Sequence, residues 1–182
     1  MKALIKTVRN FLFVLLLAYS TFLSAQSQPK KEYQVKAAFL YNFTQFVEWP
    51  ASSFSTAQAP FVIGVLGENP FGTYLEETVA GEQINGHPMI VKYYKDIDDS
   101  KTSHVLFINL IEKDELEKAM SSLKGKYILT VTDAPEILKQ EEVIRFIIKD
   151  NKVLFQINPK AAKECNLIMS SKLLNLAKIY GS

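Results

Sequence analysis

The sequence predicts an α/β domain, a three-layer Rossmann-like fold whose mixed, mostly parallel sheet is flanked by helices and ends in an antiparallel hairpin. Two observations predict it. From residue 61 to residue 131, short apolar strand-like runs alternate with helical patterns, the order typical of parallel sheets covered by helices. The pattern then changes to two strand-like runs, 143–148 and 153–157, separated by four polar residues. The central Asp150-Asn151 pair suits the positive-φ positions of a tight turn, so these runs predict the C-terminal hairpin.

The first helix of the domain is predicted over residues 32–49, with Pro50 ending it. At about 100° per residue its apolar side chains fall on one arc of roughly 160°, wide enough to pack against more than one neighbour. The apolar arc contains Tyr33, Val35, Phe39, Leu40, Phe43, Phe46 and Val47. The polar arc contains Gln34, Tyr41, Asn42, Thr44, Gln45 and Glu48.

The other elements follow from apolar runs, turn residues and helix caps. Strands are predicted at 61–66, 89–94, 105–108 and 127–131, and helices near 73–79 and over 112–123. The second of these helices has its apolar stripe at Leu116, Ala119, Met120 and Leu123. Asn158 before Pro159 predicts a helix N-cap. Ser170 or Ser171 caps a last helix, with a core stripe predicted at Leu173, Leu174, Ala177 and Tyr180.

Residues 1–25 predict a secretory signal peptide that is cleaved after Ala25. A basic start precedes a short apolar run at 11–18, and small residues precede a polar stretch. The run is shorter than the roughly 20 apolar residues that span a bilayer. We therefore expect an exported chain with a flexible tether at 26–31, a single domain at 32–182 and no direct membrane insertion.

The charge balance argues against nucleic-acid binding. Removal of the leader takes away Lys2, Lys6 and Arg9 and leaves 18 basic residues against 19 acidic ones. Binding to nucleic acid needs clustered positive charge that displaces counterions from phosphates. We expect no nucleic acid among the partners.

No motif predicts a catalytic site, a cofactor or a metal. The turn at 64–72 lacks both the dinucleotide glycine spacing and the lysine of a P-loop. The two histidines, His87 and His104, are too few and too scattered for zinc. Cys165 has no cysteine partner in the chain and is interpreted as a small buried apolar residue, with an interchain disulfide or a reactive thiol as the alternatives. A hydrolase would need Cys165 or a serine within hydrogen-bond reach of a histidine.

The remaining candidates for function are residues on the protein surface. Tyr41, Gln45, Glu48 and Trp49 lie on or beside the polar arc of the first helix, and exposed aromatic residues with hydrogen-bonding neighbours are typical of protein–protein contacts. The alternative is that Trp49 covers the core where the helix ends, and that Tyr41 packs its ring on the core while its hydroxyl reaches solvent. A second candidate, a ligand crevice, is predicted at the strand end formed by Gly67, Glu68 and Asn69.

Blocks of the sequence closely resemble the YfiR family. They are residues 35–43 (VKAAFLYNF) and 46–50 (FVEWP), 63–67 (IGVLG) with 70–72 (PFG), and 104–108 (HVLFI). The last are 155–158 (FQIN), Ala161-Ala162 and 170–177 (SSKLLNLA). The blocks follow the family order through nearly all of the mature chain.

The resemblance implies a small periplasmic α/β protein without enzymatic activity. The family role is repression: the protein binds the periplasmic sensor part of an inner-membrane diguanylate cyclase, and its release raises cyclic di-GMP and promotes biofilm growth. A sensor histidine kinase is the alternative receptor, and a small-ligand sensor the alternative role. Some members have stabilising disulfides, which Cys165 alone cannot form, and residues 140–142 replace glycines common before the hairpin. A homodimer is the alternative to a monomer as the assembly of the chain.

Overall fold

The computed structural model describes residues 27–134 and 141–181, so the predicted signal peptide at 1–25 lies outside the described residues. The predicted α/β class is confirmed: an eight-stranded, mostly parallel sheet is flanked by helices, and a two-stranded antiparallel ribbon accompanies it. The helices are α1 (Ser27–Thr44), α2 (Tyr74–Val79), α3 (Ile97–Ser100), α4 (Lys113–Leu123), α5 (Pro159–Glu164) and α6 (Ser171–Leu176). The strands are β1 (Val47–Glu48), β2 (Phe61–Gly67), β3 (Gln83–Ile84), β4 (His87–Tyr94), β5 (Val105–Asn109), β6 (Leu129–Thr132), β7 (Ile144–Lys149), β8 (Lys152–Ile157), β9 (Ile168–Met169) and β10 (Lys178–Ile179).

The main sheet has the strand order β10-β8-β7-β6-β5-β2-β4-β3. Strands β4, β2, β5, β6 and β7 run parallel to one another, β3 pairs antiparallel with β4, and β7 and β8 form the predicted antiparallel hairpin. Asp150 and Asn151 adopt φ of 50° and 58°, the left-handed conformation expected of the hairpin turn. The small ribbon pairs β1 with β9.

Helix α1 covers one face of the sheet. Its Phe39 and Phe43 rings pack against Phe146 of β7 and Phe155 of β8, with ring centroids 5.1–6.0 Å apart. The predicted apolar arc is partly wrong, because Val35 is exposed and the neighbouring Lys36 is buried instead. On the opposite face, α4 buries its predicted stripe of Leu116, Ala119, Met120 and Leu123 against residues of β2 and β5. The two buried layers confirm the three-layer architecture.

Both ends of α1 differ from the prediction. The helix begins at Ser27, so residues 27–31, which the sequence predicts as a tether, are helical. The helix ends at Thr44, whereas the prediction places its end at Trp49. At Thr44 the side-chain Oγ1 donates to the Tyr41 carbonyl oxygen, and the backbone tightens into i→i+3 hydrogen bonds. The next residues form β1 because strand β9 offers them backbone partners, a distant pairing that helical periodicity does not reveal.

The C-terminal prediction is correct at the start of the last helix and wrong at its end. Ser170 caps α6 by accepting the Leu173 N–H, and Asn158 caps α5 by accepting the Ala161 N–H. Helix α6 ends at Leu176, and β10 follows it and pairs with β8. Tyr180 therefore lies beyond a strand, where its hydroxyl donates to the Glu142 carbonyl oxygen.

Candidate functional site

The parallel strands give the sheet two distinct edges. The carboxyl ends of β2, β5 and β6 meet at one edge, here called the carboxyl edge, and their amino ends meet at the amino edge. Helix α1 runs from the carboxyl edge, where Tyr33 contacts Asp133, toward the amino edge, where Trp49 contacts His104. The residues predicted to bind a partner lie toward the amino edge, and those predicted to line a crevice lie at the carboxyl edge.

Trp49 at the amino edge is mainly a structural residue, because most of its contacts are with the core and the backbone. Its indole Nε1 donates to the His104 carbonyl oxygen at 3.1 Å. Its ring meets Phe61 edge-on, with centroids 4.8 Å apart. The side chain is partly buried against the core. The structure therefore matches the alternative for this residue, a tryptophan that covers the core where the chain leaves α1.

Tyr41 has a specific partner of its own. Its hydroxyl donates to Glu82 Oε2 at 2.8 Å, and this hydrogen bond raises the pKa of the Tyr41 phenol. The contact joins α1 to the segment after α2, and the tyrosine ring packs partly against the core. Tyr41 is thus oriented along the protein surface rather than projecting from it.

Gln45 and Glu48 are exposed, and an exposed aliphatic residue accompanies them. Glu48 in β1 lies directly opposite Ile168 in β9, and 65% of the Ile168 side chain is exposed. We call Gln45, Glu48 and Ile168 the ribbon surface. Sequence reasoning missed Ile168, because only the β1–β9 pairing brings it beside Glu48.

Behind Trp49, four rings stack in series at the amino edge. The rings are His87, Phe54, His104 and Phe61, with successive centroid distances of 3.8, 4.4 and 4.6 Å. They come from the start of β4, the segment after β1, the residue before β5 and the start of β2. The sequence gives the two histidines as scattered residues, and no local pattern indicates that they share a stack.

The histidine ring nitrogens in this stack contact backbone atoms. His104 Nδ1 accepts the Val62 N–H at 3.0 Å, and His87 Nδ1 lies 2.6 Å from the Ala59 carbonyl oxygen. The Ser53 backbone also contacts the His104 ring, although His104 Nε2, which is buried, forms no hydrogen bond of standard geometry within the described residues. Burial lowers the pKa of His104 to about 4, although the Ser53 contact raises it, so the ring is neutral at pH 7.

At the carboxyl edge, the predicted crevice residues form a closed turn. Asn69 Oδ1 accepts the Phe71 N–H, and its Nδ2 donates to the Gly72 carbonyl oxygen. Asn109 Nδ2 donates to the Glu68 carbonyl oxygen at 2.9 Å, which joins the end of β5 to this turn. Gly67 has a φ of 92°, and a Cβ atom there would lie 2.2 Å from the Asn109 carbonyl oxygen. The turn therefore depends on close backbone contact between β2 and β5.

A buried ion-pair cluster lies beside this turn. Lys36, only 2% exposed, places its Nζ 2.5 Å from carboxylate oxygens of both Glu32 and Asp133. The Tyr33 hydroxyl donates to the same Asp133 oxygen at 2.9 Å. Burial, together with the Asp133 carboxylate, raises the pKa of the Tyr33 phenol well above its usual range. This cluster joins the start of α1 to the residue that follows β6.

A second buried ion pair lies close to the first. Arg145 of β7 pairs with Glu142, and these side chains are 2% and 0% exposed. The guanidinium also lies 5.3 Å from the centroid of the Tyr180 ring. Burial is the main reason that the pKa of Tyr180 is raised far above its usual range.

Two clefts lie on either side of Tyr33. One, of about 630 Å³, is lined by Lys36, Asp133 and Arg145 among others. The other, of about 620 Å³, is lined by residues of α1, of the turn after β2 and of α2, including Phe71 and Tyr74. Gly67, Glu68 and Asn69 line neither cleft. A third cleft, of about 360 Å³, lies beside the buried Cys165, and burial raises the pKa of that thiol.

Comparison with protein-family models gives one match, to the YfiR/HmsC-like family, over residues 33–178. The chain belongs to the YfiR/HmsC-like family. The family is a regulatory, non-catalytic one whose members are periplasmic. Comparison with curated proteins gives no match. The matched range runs from Tyr33 at the carboxyl edge to Lys178 in β10, so it includes both edges of the sheet.

Three further observations limit the chemistry within the part of the chain that the structure describes. No three His, Cys, Asp or Glu side chains are grouped closely enough there to hold a metal ion. None of the helices within 27–134 and 141–181 combines the length and hydropathy needed to cross a membrane. Among the described residues, the His87 and His104 rings contact the backbone of Ala59, Val62 and Ser53, and no hydroxyl or thiol is hydrogen-bonded to either ring as a hydrolase would require.

Proposed function

We propose that this chain is a periplasmic regulatory binding protein that represses an inner-membrane signalling receptor of the diguanylate cyclase type. It contacts the periplasmic sensor segment of the receptor and binds the inactive state more tightly than the active one. Differential binding of this kind shifts the receptor population toward the inactive state. Membership of the YfiR/HmsC-like family over residues 33–178 carries this proposal.

The proposed contact is the ribbon surface, with Tyr41 and Trp49 at its border. Ile168 supplies an exposed aliphatic side chain, Glu48 supplies a carboxylate directly opposite it, and Gln45 supplies an exposed amide three residues before Glu48. An apolar centre with a polar rim is the usual composition of a protein–protein contact. Trp49 supports this surface from behind because its indole links the end of β1 to the backbone of His104.

The experiment is a pull-down of the mature protein from solubilised membranes of its own organism, followed by mass spectrometry. We expect one membrane protein that combines a periplasmic sensor segment with a cytoplasmic cyclase domain. Recovery of no such protein by folded bait would contradict the proposal. The sensor segment identified in this way then serves as the binding partner for variants.

The double variant Glu48→Lys/Ile168→Asp tests the surface. We expect at least about tenfold weaker binding to the sensor segment, because it introduces charge at the apolar centre and reverses charge at the rim. The matched control is Glu115→Lys/Ile111→Asp near α4, since Ile111 is 85% exposed and α4 covers the opposite face of the sheet. Normal binding by the first variant, or equal weakening by both, would rule out the ribbon surface.

A small-ligand sensor that works with a sensor histidine kinase is the second candidate. The clefts on either side of Tyr33 favour it, because they lie at the sheet edge where ligands of open α/β folds bind. The same pull-down separates the two candidates. Recovery of a kinase in place of a cyclase favours the ligand sensor.

A further inference from the structure

The histidine stack at the amino edge holds a long irregular segment against the sheet. Residues 49–60 connect β1 to β2, and this segment is attached through Trp49, Phe54 and Ala59. Phe54 lies between the two imidazoles, at interplanar angles of 9° to His87 and 29° to His104. The Ala59 carbonyl oxygen contacts His87 Nδ1, and Trp49 Nε1 donates to the His104 carbonyl oxygen. Each of these three residues therefore contacts a histidine, and the Trp49 and Phe54 rings also contact Phe61.

The hydrogen bonds assign a tautomer to each histidine. Val62 N–H donates to His104 Nδ1, so the His104 proton is on Nε2. The Ala59 carbonyl oxygen can only accept, so His87 carries its proton on Nδ1. His87 can gain a second proton on Nε2 without losing this bond. His104 must receive its second proton on Nδ1, which breaks the bond from Val62.

We propose that the stack of His87, Phe54, His104 and Phe61 is an acid-sensitive latch, and that protonation of His104 releases residues 49–60 from the sheet. The proposal concerns a movement within this chain. It goes beyond the proposed receptor binding and does not depend on it.

Among the described residues no carboxylate raises the pKa of His104; burial lowers it and outweighs the contact with the Ser53 backbone, which raises it. Strands β2, β5 and β6 and residues 49–60 have no side chain that titrates in this range. Among neighbouring groups, His87 adds a second positive charge across Phe54, and Lys126 and Tyr127 precede β6. Glu48 lies before Trp49 with its side chain exposed. The Phe54 and Phe61 rings offer a cation–π contact, but burial still lowers the pKa of His104.

The direction of the pH effect follows from the two protonation equilibria. The released histidine titrates at the ordinary pKa of 6.5, and the stacked one at about 4. Between these values the released state binds more protons, so acid favours release. The difference allows the ratio of released to latched protein to rise by up to about 300-fold as the pH falls through this window.

Trp49 is the only tryptophan in the sequence, so its fluorescence reports the latch directly. The experiment follows Trp49 emission and far-UV circular dichroism of the mature protein from pH 7.5 to pH 3.5. We expect the emission to move to longer wavelength between pH 6.5 and pH 4 while the circular dichroism is retained. Constant emission down to pH 4, or emission and circular dichroism changing together, overturns the proposal.

The variant His104→Gln removes the titrating group and keeps a side chain that can accept the Val62 N–H. We expect it to lose the emission change, whereas His87→Gln keeps the change. An unaltered transition in His104→Gln overturns the proposal. Should this variant not fold, amide exchange of Val62 in the wild-type protein gives the second measurement. Protonation of His104, seen by NMR, without loss of Val62 protection would equally overturn it.

Discussion

The two edges of the sheet bury polar groups in opposite ways. At the carboxyl edge, Lys36 and Arg145 are almost fully buried as charges and are matched by carboxylates. At the amino edge, His104 is equally buried but neutral, and it is held by flat rings and backbone hydrogen bonds. Helix α1 and the residues that follow it up to Trp49 lead from one edge to the other. The comparison shows that burial alone does not decide how a polar side chain is stabilised.

The difference has an energetic consequence. A buried ion pair loses hydration on both partners, and removal of one partner leaves the other as an uncompensated charge. A stacked neutral ring contributes mainly through packing and one or two hydrogen bonds, so its loss leaves no charge behind. We therefore expect substitutions at the carboxyl edge to cost more free energy of unfolding than those at the amino edge.

The largest effect is expected from Arg145→Met. The substitution leaves Glu142, which is fully buried, without its guanidinium, and should lower the free energy of unfolding by about 3–5 kcal/mol in urea titrations. Adding Glu142→Met should recover most of the loss, because the charge is then removed as well. The control is Lys101→Met, whose partner Asp98 is exposed, and we expect no measurable change. A double variant as unstable as the single one would contradict the ion-pair account.

A smaller effect is expected from Gly67→Ala, which tests how closely β2 and β5 approach at the carboxyl edge. The new methyl group would overlap the Asn109 carbonyl oxygen in a left-handed backbone, at a cost of about 2–3 kcal/mol in the free energy of unfolding. Gly72→Ala is the matched control, since it has φ of 59° but open space around it, and should cost about 1 kcal/mol. Equal costs would mean that backbone conformation alone, and not the contact with Asn109, explains the glycine at position 67.

Local patterns predicted the parts of this fold that local interactions decide. The stripe of α4, the Asn158 cap and the Asp150-Asn151 turn are each contained within a few residues, and each prediction is confirmed. The burial of Lys36 could not be predicted from the sequence, because its partner Asp133 is 97 residues away and the helical pattern around Lys36 does not indicate that pairing. The predicted end of α1 was wrong for the same reason, since the strand that replaces its last residues, β1, pairs with the distant strand β9.

The candidate sites show the same difference between local interactions, which the sequence indicates, and distant ones, which it does not. Tyr41, Gln45, Glu48 and Trp49 could be selected from the polar side of the predicted helix, but their different exposures depend on β9, Glu82 and His104. The histidine stack is formed by side chains from four separate segments of the chain, and no sequence pattern indicates it. The ribbon surface remains a prediction whose test is receptor binding.

The smallest effect is expected from Trp49→Phe at the amino edge. Phenylalanine keeps a ring beside Phe61 and loses the indole N–H that donates to the His104 carbonyl oxygen. That oxygen still accepts the Leu129 N–H at 2.8 Å, so it is not left without a partner. The free energy of unfolding, measured by urea titration at pH 7, should fall by about 1 kcal/mol. A loss as large as that of Arg145→Met would contradict the contrast between the edges, because it would make the neutral edge as dependent on a single partner as the charged one.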